Sequence, residues 1–77
     1  MSKLIPIKQE QLLKVIKKLG FELIHVKGSH HVFKNQDGRI TVIPMHKGKH
    51  IGKGLLLKII KEELKLTKEE FYKIAKQ

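Results

Sequence analysis

Gly28-Ser29-His30-His31-Val32-Phe33-Lys34-Asn35-Gln36-Asp37-Gly38-Arg39-Ile40-Thr41-Val42-Ile43-Pro44 is the stretch that decides the fold. His30 to Lys34 has the composition of a short strand, and Asn35-Gln36-Asp37-Gly38 carries the Asp-Gly signal of a hairpin turn, in which glycine supplies a positive φ at little steric cost. Arg39 to Ile43 is again β-branched and stops at Pro44, which has no N–H to give to a ladder. Upstream, Phe21 to Lys27 reads as another strand, joined to His30 by the Gly28-Ser29 turn. The centre of the chain is therefore three short antiparallel strands.

Working outward, Leu12, Val15, Ile16 and Leu19 recur at i, i+3, i+4 and i+7 and predict a helix from about Ile7 to Leu19. Lys14, Lys17 and Lys18 lie off this stripe as a solvated face, Glu10 is placed to pair with Lys14, and Gly20 stands where a left-handed cap ends a helix. On the other side, Met45 to Gly52 reads as a glycine- and lysine-containing loop. A second helix follows from about Lys53 to Leu64, with Leu56, Ile59, Ile60 and Leu64 on one face. Thr67-Lys68-Glu69-Glu70 matches a capping box and opens a short last helix, Lys68 to Ala75, whose Phe71 and Ile74 are placed to dock back. The expected class is α+β in the order α-β-β-β-α with a short C-terminal helix. Two helices would cover one face of a three-stranded antiparallel sheet and leave the other open to a ligand.

With 77 residues the chain has room for one core, so residues 1–77 are expected to form a single domain. Without cysteine, disulfides, thiol nucleophiles and zinc-finger spacings are excluded, and a reducing compartment, the cytoplasm, is expected. Leu4-Ile5-Pro6-Ile7 is too short for a signal-peptide core, and no run approaches the roughly 20 apolar residues of a membrane span. Seventeen Lys and Arg against seven Asp and Glu give a formal charge of +10. So large an excess repels itself and calls for a polyanion, with nucleic acid ahead of an acidic protein and of an anionic membrane surface. Arg39 is the one arginine among the seventeen. Lysine neutralises phosphate as a point charge and lacks the planar fork that reads bases, so the composition favours backbone binding over sequence readout.

Alternation along a strand sends His30 and His31 to opposite faces, so they cannot share one substrate atom or one metal. His31 shares a face with Phe33 and His30 with Lys34. Burying phenylalanine before lysine turns His30 outward, although Val32 on the His30 face argues the other way. Imidazole both takes and gives protons near neutral pH, which the cleavage of RNA by its own 2′-hydroxyl requires. DNA lacks that nucleophile. Backbone amides of the Gly28-Ser29 turn and neighbouring lysines are suited to the charge that grows on the phosphate, and this route needs no metal or other cofactor. A two-metal nuclease would need gathered carboxylates, whereas Asp37 stands alone in its turn and the glutamates are scattered along helices. His46 and His50 have i, i+4 spacing, but Gly48 argues against a helix there and no glutamate completes a zinc motif. Lys47, Lys49 and Lys53 read equally as a solvated loop and helix start or as a phosphate site beside helix N-terminal amides. His25 reads as structural or surface.

Leu19-Gly20-Phe21, Lys27-Gly28-Ser29-His30-His31-Val32-Phe33, Asp37-Gly38-Arg39, Pro44-Met45-His46 and Gly54-Leu55 together resemble, in order and spacing and over nearly the whole chain, the HicA family of bacterial toxins. The resemblance implies a fold like that of double-stranded RNA-binding domains and an mRNA interferase activity. It assigns the catalytic histidine to His30, the turn that carries it to Gly28 and Ser29, and a candidate catalytic partner to His46. It also implies a cognate HicB antitoxin that blocks the active site and represses the shared operon. Charge independently suits either RNA or an acidic antitoxin, with fast association weakened by salt. Two other readings fit the same residues. One is a non-catalytic double-stranded RNA-binding module, in which the lysines matter and His30 does not. The other is a degenerate toxin that only binds its antitoxin.

Overall fold

Pairing of neighbouring strands organises the centre of the chain as the hairpin signals require. The computed structural model describes residues 7–46 and 50–76. Its elements run β1 (Ile7–Lys8), α1 (Gln9–Lys18), β2 (Glu22–Lys27), β3 (His30–Lys34), β4 (Ile40–Pro44), β5 (His50–Ile51) and α2 (Lys53–Lys58). A π-helical turn (Ile59–Glu63) continues α2, and α3 (Lys68–Ala75) follows. Strands β2, β3 and β4 form an antiparallel sheet in that order. Lys27 and Pro44 flank His30, Val26 and Ile43 flank His31, and Leu23 and Thr41 flank Phe33. Gly28 has φ +59° and begins a two-residue turn that demands a left-handed residue in its first central position. The Asp37-Gly38 turn is closed by bonds from Asn35 N–H to Arg39 O and from Gly38 N–H to Asn35 O.

Burial follows the predicted stripes. Leu12, Val15 and Ile16 of α1 meet Phe33, Thr41 and Ile43 of the sheet, Leu56, Ile59, Ile60 and Leu64 of the second helical segment, and Phe71 of α3. This gathers the buried apolar core on one side of the sheet. On the other side His30, Lys34, Ile40 and Val42 remain exposed. The last helix has its capping box, with Thr67 Oγ1 accepting from Glu70 N–H at 3.1 Å and Glu70 Oε1 accepting from Thr67 N–H at 2.9 Å.

Three features differ from the sequence expectation. Helix α1 begins at Gln9 rather than Ile7, because Ile7 and Lys8 pair as β1 with Ile51 and His50. The loop from Met45 to Gly52 consequently contains a strand, β5, which is too short to be legible as one. The second helix widens after Lys58: Leu64 N–H reaches Ile59 O at 2.7 Å, an i to i+5 bond. Ile59, Ile60 and Leu64 are all fully buried by this turn. Lys65 then takes φ +57°, which lets Leu66 N–H bond Ile60 O at 2.9 Å and ends the helix.

Candidate functional site

His30 opens β3 directly after the Gly28-Ser29 turn and is exposed, while His31 is half-buried and Phe33 buried. Strand alternation therefore resolves in favour of an outward His30, with Val32, half-buried, sharing its face. The register places Lys27 beside His30 on one neighbouring strand and Pro44 on the other. Residues paired across an antiparallel sheet present side chains to the same face, so the lysine and the histidine form an exposed pair at the turn end of the sheet. Lys34, exposed, lies further along the same face. His31 is held from the other face, its Nδ1 lying 3.3 Å from Ser29 O. The same carbonyl accepts from Met45 N–H at 2.6 Å. Ser29 thus ties the turn before His30 to the segment that leaves β4.

That segment is gripped a second time. Gln9, buried at the start of α1, donates from Nε2 to His46 O at 2.6 Å and accepts at Oε1 from His46 N–H at 2.9 Å. His46 itself is exposed, two residues beyond the proline that faces His30. Lys8 pairs with His50, so the residues entering α1 hold both His46 and His50. Between these histidines lies a cavity of about 100 Å³, bounded also by Gln9, Pro44, Ile51, Gly52 and Leu55. The structure therefore brings His46 to the same end of the sheet as His30. Lys53 is exposed at the start of α2, and the Lys47 and Lys49 of the expected phosphate site lie outside the described residues. Among the described residues no three His, Asp or Glu side chains gather as a metal-ligand set.

Two positioning residues are not singled out by the sequence patterns. Gln9 left a trace, being a polar residue three before Leu12 and seven before Ile16, on the buried stripe of an amphipathic helix. Lys27 was recoverable from the two-residue turn, which fixes its pairing with His30. The single arginine serves the fold. Arg39 Nε meets Asp37 Oδ2 at 2.7 Å, Nη1 donates to Leu64 O at 2.6 Å, and the guanidinium lies 5.4 Å from the centre of the Phe21 ring. Its fork is occupied in joining the hairpin to the end of the π-helical turn.

Together, the α-β-β-β-α order, the helices packed on one face and the exposed histidine on a basic chain define a small α+β protein of the double-stranded-RNA-binding-domain-like class. Residues 10–63 match the family described as HicA toxin of bacterial toxin-antitoxin, and the chain belongs to this family. The match runs from the first turn of α1 to the end of the π-helical turn and includes His30 and His46. Membership implies a cognate antitoxin as partner. No curated protein gives a significant sequence match. Among the described residues no helix is long and apolar enough to cross a membrane.

Proposed function

We propose that this toxin is an endoribonuclease that cleaves messenger RNA without a metal ion, with His30 as the group that moves the proton. The observation that carries this reading is the placement of His30, exposed on the open face of the sheet at the Gly28-Ser29 turn and flanked in register by Lys27. In the reaction, a base removes the proton of a ribose 2′-hydroxyl and the resulting alkoxide attacks the adjacent phosphorus. The bond to the 5′-oxygen breaks, leaving a 2′,3′-cyclic phosphate, and an acid protonates the departing oxygen. His30 fills one of these roles, and His46, at the same end of the sheet, is the candidate for the other. Lys27, Lys53 and the amides of the Gly28-Ser29 turn are suited to the phosphate charge.

RNA incubated with the purified protein in EDTA tests the reading. Wild type is expected to cut, and His30→Ala to bind with similar affinity and not cut. Equal cleavage by the two proteins sinks the assignment of His30. Binding with a steep salt dependence and no product from either protein would identify a non-catalytic RNA-binding module instead. Expression without the antitoxin separates an active toxin, which arrests growth, from a degenerate one.

A further inference from the structure

We propose that the cavity between His46 and His50 is a subsite for one unstacked nucleobase of the RNA, next to the phosphate that His30 acts on. The inference rests on the ribonuclease reading for its polymer, and on the cavity for everything else. Pro44, Ile51 and Leu55 give the cavity apolar walls, and His46 and His50, each carrying a flat polar ring, line it beside them. Among the described residues no carboxylate lines it, which disfavours a cation. A flat heterocycle carried in by a polyanion suits both the walls and the +10 charge of the chain. Single-stranded RNA is commonly read in this way, with splayed bases stacked on aromatic rings, histidine included.

Size and position agree with that occupant. An enclosed apolar cavity of roughly 150 Å³ holds a whole benzene ring, so about 100 Å³ with an open mouth takes in one edge of a flat base and leaves the rest of the ring and the sugar outside. Pro44 is the register partner of His30 and also a wall of the cavity. The base site is thus one strand away from the proposed proton-transfer group, with Cα atoms about 5 Å apart across such a pair. A nucleotide whose base enters the cavity therefore brings one of its own phosphates toward His30. Gln9 lines the same cavity. Its two bonds to the His46 backbone fix one wall, and a carboxamide so engaged still has one Nε2 hydrogen and one Oε1 lone pair to offer a base edge.

Short oligoribonucleotides carrying an abasic site at each position in turn, with a 2′-deoxyribose at the scissile nucleotide so that they cannot be cut, provide the test. Wild type is expected to bind one abasic oligonucleotide about tenfold more weakly than the intact one, the scale of a single base-stacking contact. In His50→Ala that difference disappears, and in His50→Phe, which restores a flat ring without a titrating nitrogen, it returns. The His50 side chain is exposed and its strand pairing is through the backbone, so both variants are expected to fold. Equal binding of every abasic oligonucleotide by wild type, or a tenfold difference that survives in His50→Ala, overturns the subsite. Failure to cut the all-ribose strand, with base-dependent binding retained, removes the ribonuclease reading and supports the subsite.

Discussion

Gln9 holds His46 by both of its backbone polar groups, with hydrogen bonds of 2.6 and 2.9 Å across 37 residues of sequence. Gln9→Ala leaves the His46 N–H and C=O without these partners. The expected cost is about 1–3 kcal/mol, the usual range for partly buried polar groups deprived of a bond, measurable as a lower urea midpoint. RNA cleavage by the folded variant should fall as well, because the backbone that carries His46 is no longer fixed. Unchanged stability and unchanged cleavage together would show that the grip is dispensable.

Glu63 closes the outer edge of β4. Its Oε1 accepts from Thr41 Oγ1 at 2.6 Å and from Val42 N–H at 3.0 Å. Glu63→Ala strands a fully buried hydroxyl and is expected to destabilise by about 2 kcal/mol, in the range for hydrogen bonds to charged groups. Glu63→Gln keeps an acceptor oxygen and should recover most of the loss. Thermal unfolding of the two variants beside wild type decides the point.

Gly28 has open space where a Cβ would stand, so only its φ of +59° resists a side chain. Gly28→Ala should cost roughly 1–2 kcal/mol from the left-handed conformation alone. Because the turn sets the start of β3, cleavage should drop while RNA binding through distant lysines persists. An alanine variant as stable and as active as wild type would mean that the turn tolerates another geometry.

Lys65 takes the left-handed conformation that glycine adopts more readily, at the position ending the π-helical turn. Lys65→Gly is expected to stabilise the fold by about 0.5–1 kcal/mol, the relief of strain being partly offset by the greater freedom of glycine when unfolded. A urea titration reads this as an upward shift of the midpoint.

Asp37 accepts from the Arg39 backbone N–H at 3.0 Å and pairs with its guanidinium, and the backbone bond is the largest cause holding the carboxyl below its ordinary value of 3.8. A depressed carboxyl stabilises the fold in its ionised form. The contribution is therefore fully present above the unfolded value and lost as pH falls through the lower folded one. The stability difference between wild type and Asp37→Asn should stay level from neutral pH to about pH 5 and shrink below about pH 4. A difference that grows on acidification would reverse the sign of the argument.

What the chain order alone determined is the local architecture. Hairpin signals at Gly28-Ser29 and Asp37-Gly38, the stripe Leu12, Val15, Ile16 and the box Thr67 to Glu70 act over a few residues, where periodicity and turn chemistry are sufficient. The outward turn of His30 was legible for the same reason, since strand alternation and the greater burial of Phe33 over Lys34 fix the faces. Tertiary structure decided the rest. Apolar positions 56, 59, 60 and 64 suit an α-helix as well as a π-helical turn, and only packing against the sheet selects the wider one. Two-residue strands carry no periodicity, so β1 and β5 exist because Ile7 and Ile51 meet across the fold. Above all, the grip on the His46 backbone comes from a carboxamide 37 residues earlier, and hydrogen bonds between residues so distant leave no spacing in the chain by which to find them.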